Sequence, residues 1–99
     1  MSSSMSFERF EADCRARGFD EVVEREWAPN QVLQTHTHPF AVHVRVARGE
    51  LWLTVADETR HVRAGESFDL ERDVPHAERY GRDGATFWSA RRRGGPPAA

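Results

Sequence analysis

The chain has 99 residues, with 38% hydrophobic and 30% charged side chains and a formal net charge of −2. That length makes one domain with one modest core, and the charge balance gives no nucleic-acid footprint. No apolar run approaches the ~20 residues of a membrane span, and the single cysteine, Cys14, excludes an intrachain disulfide.

The opening MSSSMSFERF has no apolar h-region, so no secretory leader is expected and the expected address is cytoplasmic. Lys and Ile are absent, a GC-rich codon bias that fits a bacterial source. Ser6 is placed to cap a short helix, with Glu8 in its first turn. Phe7, Phe10 and Cys14 recur at helical spacing, and Gly18 stops the run. This stripe is read as packing on a sheet or on a second subunit. Residues 1–19 are thus a polar tail and short helix.

From Asp20 the pattern changes to period two, and residues 20–91 read as one β domain. A first strand spans 21–27, Pro29–Asn30 turn, and a second strand, 32–38, ends at Pro39. In 41–48, Val42, Val44 and Val46 alternate with His43, Arg45 and Ala47, which predicts a half-buried strand with the valines inward. Gly49–Glu50 reads as a turn into 51–55, where Leu51, Leu53 and Val55 share a face. Turns at 56–58 and 64–66 bracket a strand at 59–62, and 67–70 turns Phe68 and Leu70 to one side. Residues 71–75 are a loop. Strands at 77–80 and 85–91 flank a hairpin turn at 81–84. About eight short strands with regular turn signals predict an all-β sandwich or barrel. Trp52 and Trp88 fall opposite their strands' core residues, and exposed Trp suits a subunit interface. With the modest core, a homodimer is expected. Residues 92–99 read as a disordered tail by composition, and Arg91–Arg92–Arg93 as a solvated basic spot beside it.

The chemistry gathers on histidine. His36 and His38 are two apart on a strand, so their imidazoles leave the same face and can bind one small cation. A third nitrogen has to come from elsewhere, and His76 is the best candidate. Closing the barrel brings distant strands side by side and so can deliver it.

The same residues resemble the motifs of a small single-domain cupin. The family's first motif, G(X)5HXH(X)3–4E(X)6G, reads here as Asn30, five residues, His36-Thr37-His38, three residues, Val42, six residues, Gly49. The second, G(X)5PXG(X)2H(X)3N, reads as Gly65, Glu71, Asp73, His76 and Tyr80 at the same spacings. The resemblance covers roughly residues 21–91 and implies a cupin double-stranded β-helix, or jelly-roll barrel, with a short N-terminal helix. Asn30 and Asp73 stand where the family has glycine, and both tolerate the left-handed backbone better than most residues. Val42 stands in the slot of a metal-binding glutamate. With the longer spacer His43 would take that slot, but the count back from Gly49 and the valine alternation favour Val42, with His43 facing out. The resemblance therefore implies three ligands, His36, His38 and His76, and no first-motif carboxylate.

Neutral imidazoles suit a divalent transition metal such as Fe, Mn, Ni, Cu or Zn. Three histidines with open positions make a catalytic rather than a closed structural arrangement. Glu78 and Tyr80 share the parity of His76 along their strand. Glu78 can complete the coordination, orient a ligand or act as acid/base, and Tyr80 can donate to a bound substrate. The alternative for Glu78 is an ion-paired surface carboxylate beside Arg79 or Arg82. Phe40, Phe68 and Phe87 are candidate apolar walls, and His61 reads as surface. The resemblance implies dioxygenase-like or isomerase-like chemistry on a small organic molecule. Its rivals are a metal-free small-molecule binding or sensor module and a structural homodimer with a vestigial pocket. No membrane or nucleic-acid partner is expected.

Overall fold

A computed structural model describes residues 5–93 of the chain. Residues 1–4 of the polar start and 94–99 of the expected 92–99 tail lie outside the described residues, while Arg92 ends the last strand. The elements are α1 (Phe7–Ala16), β1 (Glu21–Trp27), β2 (Val32–His36), β3 (Ala41–Val55), β4 (Glu58–Arg63), β5 (Ser67–Leu70) and β6 (His76–Arg92). Helix α1 starts as its sequence demands. The Ser6 side chain accepts the Arg9 N–H at 3.1 Å, which satisfies one of the first-turn donors. It ends ahead of Gly18, whose φ of 96° few other residues adopt.

Among the described residues, six strands replace the eight expected. Gly49–Glu50 is not a turn, and 81–84 is not a hairpin. β3 runs unbroken for 15 residues and β6 for 17. Gly49 has φ 82° and sits where the β3–β6 register shifts, between Val46/Arg48 and again between Gly49/Leu51. A glycine that resembles a turn signal in the sequence here makes a bulge, which bends a strand without ending it. Opposite it, residues 81–84 are held by the second-strand entry: the Asn30 N–H donates to Gly81 O at 2.9 Å, and the Tyr80 N–H donates to Gln31 O at 2.9 Å.

The bends give each long strand two sets of neighbours. The first half of β3 pairs with β5 and with the second half of β6, which continues into β1. The second half of β3 pairs with β4 and with the first half of β6, which continues into β2. All these pairings are antiparallel. The inner faces share one core built on Val42, Val44, Val46, Leu51, Leu53, Val62, Phe68 and Tyr80. The predicted valine alternation is observed.

A second, smaller core lies on the outer face under α1 and holds Phe10, Cys14, Phe19, Val22, Trp88 and Ala90. This corrects the reading of Trp88 as exposed. The rings of Phe7 and Phe10 lie 5.8 and 5.5 Å from it, and its indole N–H donates to Glu24 at 2.8 Å. The helix of the same chain covers the face that was assigned to a partner. Trp52 is half-buried and stacked on His61 with ring centroids 4.5 Å apart, under the Arg79 guanidinium. Cys14 is buried, and that burial holds its thiol above its ordinary value.

Candidate metal centre

His36 and His76 are direct cross-strand partners in the β2–β6 register, so their side chains leave the same face of adjacent strands. β2 ends at His36, and His38 lies in the short segment between it and Pro39. The Asp73 N–H donates to the His38 carbonyl at 2.8 Å. The loop that leads to His76 is thereby tied to the backbone of His38. Asp73 takes φ 65° and Asn30 φ 60°, the left-handed backbone expected at these two motif positions.

The three rings converge. Centroids of His36 and His76 are 4.3 Å apart, His36 and His38 4.9 Å, and His38 and His76 5.1 Å. One nitrogen from each lies within 4.8 Å of the other two. Nitrogens sharing one metal at ~2.1 Å stand roughly 3–3.5 Å apart, a gap that small side-chain rotations close. The tautomers also fit. His36 Nδ1 is 2.7 Å from Gln34 O, and His76 Nδ1 is 2.9 Å from Val74 O. A carbonyl only accepts, so both Nδ1 atoms carry the proton and both Nε2 lone pairs are left for a cation. His38 stacks on Phe40 with centroids 5.0 Å apart. Burial, then the neighbouring His76 and His36 and the Arg91 guanidinium, hold His38 below its ordinary pKa. It is therefore neutral at neutral pH, the form that ligates.

Val42, not His43, faces this site. His43 points to the other side of the sheet, where its Nδ1 meets Asp69 at 2.8 Å and its ring stacks on Phe10 at 5.7 Å. Glu78 is also in place, with Oε2 3.5 Å from His76 Nε2 and its side chain only 11% exposed. Tyr80 lies behind it. That side chain is fully buried in the core, and its hydroxyl donates to Glu78 Oε1 in a short hydrogen bond. Burial first, then the Glu78 charge and that bond, hold the phenol far above its ordinary pKa, so it remains a donor. Tyr80 touches Glu78 and is not among the residues that line the cavity.

The histidines and Glu78 open onto a cavity of about 280 Å³. Its walls include the expected Phe40, Phe68 and Phe87, together with Val42, Val44 and Leu70. Arg25, Trp27 and Arg91 line it as well, and the motif spacing points to none of the three. Arg91 is not part of a solvated basic spot: its side chain is 18% exposed, and its guanidinium lies over Phe40 at 5.0 Å. A signal for it does exist in the sequence, because 87, 89 and 91 share strand parity and Arg91 is opposite Val42 in the β3–β6 register. Among the described residues no helix is long and apolar enough to cross a membrane.

Residues 23–86 match the family model described as Cupin domain, so the chain belongs to the cupin family. Among solved structures, it is similar to a conserved protein of unknown function from Streptococcus pyogenes, with 18% identity, TM-score 0.61 and 78% of each chain covered. It is also similar to an oxalate oxidase in complex with the substrate analogue glycolate, with 23% identity and TM-score 0.64, over 78% of this chain and 44% of that one. A variant of the oxalate decarboxylase of B. subtilis gives 21% identity and TM-score 0.65, over 72% and 20%. At these identities the likeness is one of fold, and the chain spans less than half of either enzyme. No curated protein matches in sequence.

The Tyr80–Glu78 bond should be measurable as stability. Tyr80→Phe removes a buried donor to a carboxylate and should cost ~1–3 kcal/mol, read as a lower denaturation midpoint at unchanged slope. An unchanged midpoint would show that the bond adds nothing. In metal-free protein, His38 should make stability depend on pH. Its folded-state pKa is depressed, so the unfolded chain takes up its proton first as pH falls. Stability should therefore drop below about pH 6.5, the ordinary histidine value, and level off once pH passes the folded pKa. His38→Phe should flatten that part of the profile in thermal melts between about pH 7.5 and 5. An equally steep profile in the variant would assign the effect to other groups.

Proposed function

We propose that this cupin holds one divalent transition metal through His36, His38 and His76, and that it carries out a metal-dependent reaction on a small organic molecule. The chemistry is dioxygenase-like or isomerase-like. The observation that carries the reading is the convergence of three histidines, two with Nδ1 committed to backbone carbonyls, beside a cavity-facing carboxylate. A metal bound there would supply Lewis acidity or a site for oxygen, with positions left open for a ligand.

The chain's own groups then divide the work. The neutral His38 and the two pinned rings preorganise the ligand set. Glu78 has one oxygen fixed by Tyr80, and its other oxygen can take a proton from the bound molecule or return it. The phenol holds the carboxylate in one orientation through the cycle. Phe40, Phe68 and Phe87 exclude water around the apolar part of the ligand.

The test is the metal content of protein purified without a His tag or chelator. Near one equivalent of Fe, Mn, Ni, Cu or Zn per chain supports the reading, and the element narrows the chemistry: iron toward oxygen, zinc toward water or Lewis-acid catalysis. No metal, and none taken up on addition, would reduce the barrel to a metal-free small-molecule binding module.

A further inference from the structure

The same cavity carries groups that the metal reading does not use. Arg91 lines it with a guanidinium that is mostly shielded from solvent, and its Nε is buried with no hydrogen-bond acceptor. Its ion pair with Glu21 is a long one, 3.8 Å from Nη1 to Oε1, and that oxygen already accepts from Arg93 Nε at 2.9 Å. Trp27, which lines the cavity further along β1 and stacks on Tyr80 at 5.5 Å, also keeps a buried indole N–H without an acceptor. Arg25 adds a second cation at the exposed rim.

A buried guanidinium without a full set of acceptors is costly, and a bound anion removes that cost. Arginine presents its donors as a planar fork that matches a carboxylate in two-point fashion. Phe40 stands between this fork and the histidines, with the guanidinium over its ring at 5.0 Å and the His38 ring stacked on it at 5.0 Å, and Val42, Leu70 and Phe87 add apolar wall. Glu21 stands beside Arg91 and Glu78 beside His76, so a singly charged head is tolerated better than a dianionic phosphate. At about 280 Å³ the cavity takes only a small molecule.

We propose that the ligand of this cupin is a small organic acid, its carboxylate held by Arg91 with help from Arg25 and its body directed along the apolar wall toward the histidines. This rests on the proposed function for which end of the molecule reacts, and adds the substrate class. Arg91 is then a specificity-determining residue.

The experiment titrates propionate, its uncharged analogue propionamide and inorganic phosphate into nitrogen-15-labelled protein, metal-free and zinc-loaded. The indole N–H signal of Trp27, assigned with Trp27→Phe, is the readout. Propionate should move the signal saturably in both forms, while the other two compounds leave it in place at equal concentration. Arg91→Met should weaken propionate at least ~10-fold, the loss expected for one charged hydrogen-bonding partner, and Arg25→Met should weaken it less. Propionamide or phosphate matching propionate would overturn the proposal, as would undiminished propionate binding in a folded Arg91→Met protein. Zinc uptake is measured on the same samples. Propionate binding without zinc uptake would remove the metal reading and keep this one. Zinc uptake without preference for the carboxylate would do the reverse.

Discussion

His76→Ala should abolish stoichiometric metal binding, with affinity lowered at least ~100-fold. Loss of a partner that only orients a ligand already lowers metal affinity roughly 10–100-fold, so loss of a ligand should exceed that range. His76 is the best placed of the three for this test. It is 3% exposed, its Nδ1 is fixed on Val74 O, and it pairs across the strands with His36. The variant removes one of three nitrogens and leaves two that cannot enclose a cation. Wild-type protein should also gain thermal stability as metal is added, because a ligand that binds only the folded state stabilises it by mass action. The variant should show no such gain. His43→Ala is the control. That ring lies on the opposite face against Asp69 and Phe10, so the variant should keep its metal even if it loses some stability. Metal retained in His76→Ala would place the site elsewhere, and metal lost in His43→Ala would mean that the motif has been read in the wrong register.

The histidines are more legible in the sequence than the strand boundaries are. His36, His38 and His76 stand out because a two-residue repeat in strand-like sequence predicts one shared face, and because the motif spacing runs through all three, although β2 itself ends at His36. The choice of Val42 over His43 follows from the same alternation and agrees with the side each takes in the structure. Ser6, Gly18, Asn30 and Asp73 are legible because caps and left-handed turns are local events. What the sequence hides depends on distant parts of the chain. Whether Gly49 ends a strand or bends it is decided by a partner some 35 positions away, near Gly84. Trp88 reads as exposed until a helix some 70–80 positions earlier folds onto it. Arg91 reads as part of an arginine run; its parity puts it on one face with Phe87, and the pairing of β6 with β3 and β1 makes that face the inner one. Tyr80 has the right parity, but parity does not say whether a side chain meets the cavity or the packed core beneath it.

Gly49→Ala should be the most damaging single-methyl change in the barrel, at about 2–5 kcal/mol. Two costs add. At φ 82° an alanine meets the left-handed penalty, ~1–2 kcal/mol. Its Cβ would also stand 2.2 Å from the Gly84 carbonyl oxygen and 2.8 Å from the Ala85 Cα. Both are backbone atoms of β6, so no rotamer change relieves the overlap and the strands have to separate, for a further ~1–3 kcal/mol. Against a total stability of ~5–15 kcal/mol for a domain of this size, melting should fall by roughly 8–40 °C. Gly65→Ala separates the two terms. Gly65 has φ 90°, and an added methyl group there would have nothing within 4 Å, so it bears only the backbone cost and should lose ~1–2 kcal/mol. Equal losses in the two variants would show that the close approach of β3 to β6 at Gly49 contributes nothing. The approach matters to the site as well as to stability. The bulge lets one strand carry Val42 on the cavity wall in one half of the fold and Val55, the cross-strand partner of His76, in the other. Forcing the strands apart at Gly49 therefore moves the two ends of the cavity relative to each other. Metal and carboxylate binding should both weaken in Gly49→Ala at temperatures where it is still folded, whereas Gly65→Ala should leave both unchanged.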